Sequence, residues 1–98
     1  MIVEFVVAAG KKEQARRWAR IDGEHIVERG EGAPPAADIT FTATPADAQA
    51  LHEGALELSV GFMRGQVKMA GDFGALLRFL PLTAGTTAKL PVSELLGD

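Results

Sequence analysis

The sequence contains no cysteine and no tyrosine, and it has only two histidines. Without cysteine the chain forms no disulfide, and it offers neither a thiolate metal ligand nor a cysteine nucleophile. His25 and His52 do not match the spacing of a metal-binding motif. Ser59 and Ser93 lack the sequence context of a catalytic serine. The sequence therefore predicts no catalytic residue, no metal site and no cofactor.

The chain also has no excess of basic residues, since it contains 10 Lys and Arg and 13 Asp and Glu, for a net charge of -3. Such a chain has no overall electrostatic attraction to nucleic acid or to an anionic membrane surface. Its apolar runs, near Phe5 and Leu76, are far shorter than the roughly 20 residues of a membrane-spanning helix. No secretory leader pattern precedes the first strand. We expect one cytoplasmic domain of 98 residues that binds no nucleic acid.

The first third of the sequence has the pattern of strands joined by turns. Residues 2–9 are rich in β-branched and aromatic side chains and predict a strand with at least one covered face. Residues 14–21 and 24–29 flank Asp22-Gly23, a pair that favours a hairpin turn with positive φ at both central positions. The many charges of this hairpin predict a solvated ribbon with cross-strand ion pairs.

The middle of the sequence predicts a strand followed by a helix. Residues 38–43 alternate apolar and polar side chains, as a half-buried strand does. Thr44 is a suitable N-cap, Pro45 suits the first helical position, and an acid follows three residues after the cap. Gly54 is expected to end this helix.

Residues 55–60 are compatible with either a short helix or an extended connection. Gly65 then closes a short apolar turn, and a strand follows in which Val67 and Met69 face one way. Asp72 precedes an apolar run and is expected to cap a helix with its carboxylate. A catalytic carboxylate is the alternative role for this residue.

The last predicted helix follows Asp72. Phe73, Leu76, Leu77 and Leu80 have the spacing of one helix face, which predicts that these four side chains are buried together. Pro81 is expected to end the helix.

Two stretches of the sequence carry a resemblance to a known family. They are residues 38–47 and the pattern Phe62-Met63-x-Gly65-x-Val67-Lys68-x-x-Gly71-Asp72. In this order they resemble the sterol-transfer domain of the sterol carrier protein type 2 family, over about residues 14–90. Each stretch alone is a weak signal, whereas the pair is fairly specific.

The resemblance implies an α+β fold, in which a mainly antiparallel five-stranded sheet is covered on one side by two or three helices. It also implies an apolar tunnel between the sheet and the helices, which binds fatty acyl chains, acyl-CoA, sterols or phospholipid. The family usually has a helix before its first strand, whereas this sequence begins almost directly with the strand. A shorter cover over the cavity is therefore expected.

The predicted ligand contacts are apolar residues of the middle and last segments: Phe41, Leu51, Phe62, Met63, Val67, Met69, Leu76, Leu77 and Leu80. Most of them are equally expected in the core of a domain of this size. Methionine adapts to varied apolar shapes, and the lack of polar residues suits a ligand with few hydrogen-bonding groups. Arg64 and Lys68 are either a solvated pair or contacts for an anionic head group at the tunnel mouth.

The resulting functional hypothesis is a non-enzymatic carrier of a hydrophobic small molecule. Two alternatives remain open at the level of the sequence. The pocket could serve catalysis on an apolar intermediate of a biosynthetic pathway, with His52 or Asp72 required. The chain could instead be a dimerising or partner-binding module with a closed cavity, and a homodimer is compatible with either binding function.

Overall fold

The computed structural model describes residues 1–34 and 36–83, which form one sheet and three helices. The elements in chain order are β1 Ile2–Ala9, β2 Lys12–Asp22, β3 His25–Glu31, β4 Ile39–Ala43, α1 Pro45–Glu53, α2 Leu58–Met63, β5 Val67–Gly71 and α3 Phe73–Thr83. The sequence leaves residues 91–96 open between a last helical turn and a tail, and they lie outside the described part of the chain.

The sheet has the strand order β3-β2-β1-β4-β5. β1 lies at its centre, antiparallel to β2 and parallel to β4, while the β2–β3 and β4–β5 pairs are antiparallel. The predicted α+β fold with a mainly antiparallel five-stranded sheet and helices on one side is confirmed, and the sheet is mixed. The parallel pair arises because the chain runs through the β2–β3 hairpin at one edge before it returns to β4.

The β2–β3 hairpin forms as predicted, but its turn lies one residue later than expected. Asp22 pairs with His25, so the loop consists of Gly23 and Glu24. Gly23 has a φ of 62°, whereas no residue other than glycine has positive φ in the described part of the chain. The first loop position alone therefore takes the conformation that glycine tolerates. The extra residue of β3 is accommodated in a bulge at Val27.

The core lies between the helices and the sheet face that carries Val3, Phe5, Ile39 and Phe41, all of which are buried. Phe41 stacks on Phe5 with 5.1 Å between the ring centroids, and Phe79 of α3 lies 5.7 Å from Phe41. Such aromatic pairs contribute about 0.5–1.5 kcal/mol each beyond the area they bury. The three rings fix α3 over the middle of the sheet.

Helix α1 begins and ends where the sequence predicts. The Thr44 hydroxyl accepts a hydrogen bond from the Asp47 amide at 3.2 Å, and Gly54 at the C-terminal end has a φ of 81°. The ambiguous segment that follows contains the start of helix α2, which runs from Leu58 to Met63. Gly65, with a φ of 79°, then turns the chain into β5.

Helix α3 is capped as predicted, because the Gly74 amide donates to the Asp72 carboxylate at 2.8 Å. The prediction that Pro81 ends the helix was wrong, since α3 continues to Thr83. Pro81 lies in the last turns, where its missing amide removes only the bond to the Leu77 carbonyl. The Thr83 hydroxyl donates to the Leu80 carbonyl at 2.9 Å and stabilises this end of the helix.

Candidate functional site

The two stretches that carry the family resemblance are neighbours in the sheet, because β4 pairs with β5. Gly71 approaches the backbone of Asp38 so closely that a Cβ at this position would collide with the Asp38 carbonyl oxygen. The Gln66 side-chain amide donates to the Asp47 carboxylate at 3.1 Å and so ties the start of β5 to helix α1. These contacts explain why glycine stands at position 71 of the motif and show how the two stretches are held together.

Four of the predicted ligand contacts are core residues. Phe41 and Leu76 are fully buried, and Leu51 and Val67 are at most 3% exposed. Because their side chains already pack in the core, they would contact a ligand only on the side of the ligand that faces the core.

Three further predicted contacts are partly accessible and lie on different elements. Phe62 of α2, Met69 of β5 and Leu80 of α3 each pack against the core while remaining half-buried. Helix α2 packs against β5 and touches α3, so these side chains border the region in which α2, β5 and α3 meet. Leu56 and Leu82 are two more half-buried residues against the same core, and neither was among the predicted contacts.

The predicted buried face of α3 was wrong in part. Ala75, Leu76 and Phe79 are buried, whereas Phe73 and Leu77 are both 59% exposed. The buried face of α3 is rotated about the helix axis relative to the predicted one. The cause is the packing of Phe79 on Phe41, which directs Leu77 towards solvent. Phe73 belongs to the same exposed arc as Leu77, and helical spacing alone could not distinguish this arc from the buried one.

Met63, Arg64 and Lys68 gather at the turn between α2 and β5. Met63 is 83% exposed. Lys68 lies on the side of β5 opposite Val67, and its ammonium reaches back to Gly65, where a Cβ would be 3.6 Å from Nζ. Neither Arg64 nor Lys68 forms an ion pair with a described residue. Their contact with an anionic head group stays a prediction.

The sheet face opposite the helices carries a polar network around Glu4, which is only 4% exposed. The Arg16 guanidinium donates to Glu4 Oε2 at 2.6 Å, and the Thr40 hydroxyl donates to Glu4 Oε1 at 2.9 Å. Arg16 also bonds Glu13 at 2.6 Å. The hydrogen bond from Arg16 lowers the pKa of Glu13, and the bonds to Glu13 and Glu4 raise the pKa of Arg16. This network holds β1, β2 and β4 together on the far side of the sheet from α2 and α3.

Metal-binding groups do not assemble in residues 1–34 and 36–83. No cluster of His, Asp or Glu in this part of the chain could hold a metal ion. His25 is exposed at the hairpin, His52 is half-buried in α1, and the Asp72 carboxylate accepts the Gly74 amide. None of the three described helices is long and apolar enough to cross a membrane.

Solved structures with the same fold include carriers and one enzyme. A conserved hypothetical protein from Thermus thermophilus superposes with a TM-score of 0.71 at 18% identity, over 95% of this chain and 68% of the other. The Aedes aegypti sterol carrier protein 2 in complex with palmitate gives 0.60 at 19% identity, over 85% and 72%. A sec-alkylsulfatase from a Pseudomonas species gives 0.59 at 21% identity, but the match covers 90% of this chain and only 13% of the enzyme. At these identities the likeness establishes the fold.

The sequence itself matches a family model described as the SCP-2 sterol transfer family over residues 6–83. A search among curated proteins finds no match. The family match begins inside β1, earlier than the resemblance seen in the sequence, and it confirms that resemblance. The chain belongs to the SCP-2 sterol transfer family.

Proposed function

We propose that this domain binds and carries a hydrophobic lipid of the fatty-acyl class, without chemistry, in an apolar site that begins where α2, β5 and α3 meet and extends along the accessible side of α3. The observation that carries the proposal is that the apolar residues of α3 cover more of the helix surface than the part that is buried against the sheet. Phe73 and Leu77 are largely exposed and Leu80 is half-buried, next to the fully buried Leu76.

The geometry of a helix explains what this arc offers. Successive residues are about 100° apart, so Phe73, Leu77 and Leu80 fall within an arc of about 60° that borders Leu76. A lipid chain lying along the arc would extend the existing core and would also meet the half-buried Phe62 and Met69. The site therefore combines buried core residues such as Leu76 with accessible apolar residues of α3.

The size of the hydrophobic effect supports binding without many polar contacts. Burial of about fifteen methylene groups would release on the order of 12 kcal/mol, at about 0.8 kcal/mol each. Association and ordering remove about 4 kcal/mol or more. The remainder, about 8 kcal/mol at most, corresponds to a dissociation constant in the micromolar range or weaker, with little selection for chain length. The palmitate complex of the Aedes aegypti protein supports the fatty-acyl class.

Arg64 and Lys68 would meet the carboxylate of such a ligand, since both are exposed beside Met63 and pair with no described carboxylate. Acyl-CoA and sterol-like ligands are the alternatives that binding assays distinguish. The capping role of Asp72 supports a carrier over the catalytic alternative. A single domain and a cytoplasmic location remain predictions from the sequence.

The proposal is tested by the variant Leu77→Arg and native mass spectrometry with palmitate. Because Leu77 is exposed, the variant should fold normally, which far-UV circular dichroism checks. It should bind palmitate more than about tenfold more weakly, because the guanidinium would lose its water against the acyl chain. Val27→Arg is the matched control, since Val27 is 57% exposed on β3, and it should bind as the wild type does. Unchanged binding by folded Leu77→Arg would remove this arc from the site.

A further inference from the structure

We propose that the free edge of strand β3 is the contact surface between two copies of this chain. The two β3 strands would pair antiparallel about a two-fold axis at Gly30, so that their two sheets join into one continuous sheet. This proposal concerns the assembly of the chain and does not rest on lipid carriage.

Strand β3 lies at one edge of the sheet. It pairs with β2 on one side and with no described strand on the other. The helices make their main sheet contacts with β1, β4 and β5, away from this edge. An edge strand presents backbone amides and carbonyls without a strand partner, and a strand of another chain can bond to them.

The register of the hairpin shows which residues direct their backbone groups towards the free edge. The Gly32 amide donates to the Arg16 carbonyl at 2.9 Å, in line with the pairing of the two strands. Backbone groups alternate in direction along an antiparallel strand, so Gly30 also bonds towards β2. Arg29 and Glu31 therefore present their amides and carbonyls at the free edge.

The charges of β3 select one register for a second copy. When Gly30 lies opposite Gly30 of the second copy, Arg29 lies opposite Glu31 of the second copy, and symmetry produces this pair twice. Each pair exchanges two backbone hydrogen bonds and sets opposite charges side by side. The neighbouring registers, centred on Arg29 or on Glu31, would instead set like charges against each other, which is unfavourable.

Both charged side chains are accessible for this pairing. Arg29 is exposed and forms no ion pair with a described residue. The Glu31 side chain is 82% exposed, and its carboxylate lies 3.9 Å from the Arg17 guanidinium. Because this contact is long and on the solvent side, the Glu31 carboxylate has room to accept a second cation.

The single tryptophan of the chain lies beside the proposed axis. Trp18 pairs with Gly30, and a Cβ at Gly30 would collide with the Trp18 indole ring, so the ring lies over this glycine. Opposed residues at such a position approach to about 4.5 Å between Cα atoms, which brings the second copy next to the half-buried ring. Tryptophan is enriched at the centres of protein interfaces.

Pairing through β3 leaves the proposed lipid site open. That site involves β5, which is the opposite edge strand of the sheet. The assembly would therefore carry its two lipid sites at the two ends of the joined sheet.

The test is sedimentation equilibrium of the wild-type chain from micromolar to millimolar concentration. The mass should rise from 10.4 kDa towards twice that value, and Trp18 emission should shift to shorter wavelength over the same range. Arg29→Glu and Glu31→Arg should each raise the dissociation constant of the dimer at least about tenfold, because two attractive pairs become repulsive. Arg64→Glu is the matched charge control and should leave it unchanged.

Charge exchange separates direct pairing from an effect on the fold, which circular dichroism checks for each variant. An equimolar mixture of Arg29→Glu and Glu31→Arg should dimerise as the wild type does, because opposite charges then face each other in both pairs. A wild-type chain that stays at 10.4 kDa, or a loss of dimer that the mixture does not reverse, would overturn the proposal. Failure of a dimeric wild-type chain to take up palmitate would overturn lipid carriage alone.

Discussion

The β2–β3 hairpin and the segment from the α2–β5 turn to α3 both carry exposed cations, yet the charges of the two regions are used differently. In the hairpin Arg20 pairs with Glu28 at 2.8 Å and Arg17 lies 3.9 Å from Glu31, across the two strands. In the second region Arg64, Lys68 and Arg78 have no carboxylate partner among the described residues. The density of charges along the sequence therefore does not show whether a surface cation has a carboxylate partner. The folded structure decides this, and a cation without such a partner is available to a ligand.

The hairpin also continues into a network around the buried carboxylate of Glu4. Arg16 connects exposed Glu13 to buried Glu4, and Thr40 of β4 completes the coordination of the Glu4 carboxylate. The charges of β2 therefore contribute to the stability of the sheet, whereas those at the α2–β5 turn should contribute little. Predictions that remove one charge at a time test this difference.

The largest effect is expected for Glu4→Ala. Removal of one partner from a fully buried ion pair commonly costs about 3–5 kcal/mol. Because the Arg16 side chain is 32% exposed and keeps Glu13, we expect a smaller loss, about 2 kcal/mol of unfolding free energy. Urea denaturation followed by circular dichroism measures it. Glu4→Met/Arg16→Met, which removes both charges, should be less destabilising than Glu4→Ala. A loss below about 1 kcal/mol would show that the network is not a stabilising feature of β1 and β2.

A smaller effect is expected from acid. The pKa of Glu13 is lowered by its hydrogen bond with Arg16 from the ordinary value of 4.5. A lowered pKa in the folded state means that the stabilisation is complete above about pH 4.5 and is lost as the pH falls through the folded value. The unfolding free energy measured between neutral and acidic pH should therefore fall more steeply for the wild type than for Glu13→Gln. Parallel curves for the two proteins would contradict the role of this contact.

The smallest effects are expected from exposed arginines. Arg20→Ala removes a surface ion pair and should cost about 0.5 kcal/mol. Arg64→Ala should change the unfolding free energy by less than about 0.5 kcal/mol, since the side chain has no described charged partner. A larger loss for Arg64→Ala than for Arg20→Ala, measured by urea denaturation, would reverse the comparison between the two regions.

Most local signals gave reliable predictions because their physical cause lies within a few residues, although Pro81 did not end α3 as expected. Helix α1 starts after the Thr44 cap and ends at Gly54, as the sequence indicates. Asp72 correctly predicts the cap of α3, and the motif around it correctly predicts the family. The hairpin was also predictable, although the bulge at Val27 moved its turn by one residue.

The candidate site could be predicted only in part, because its residues were selected by spacing and apolar character. These criteria do not distinguish Leu76, which is fully buried, from Leu77, which is 59% exposed. The difference depends on Phe41, which lies far away in the sequence and holds α3 through Phe79. The ligand contacts themselves remain predictions.

Short-range features of this protein follow from its sequence alone: where strands alternate, where α1 is capped, which residues turn the chain, and which family the central motif indicates. Three-dimensional packing was needed to establish that β1 lies parallel to β4, which side of α3 is buried, and which arginines find a carboxylate. These outcomes depend on contacts between residues distant in the chain, and net charge or periodicity does not encode them. The overall charge of -3 thus hides the cations of residues 61–80, which pair with no described carboxylate.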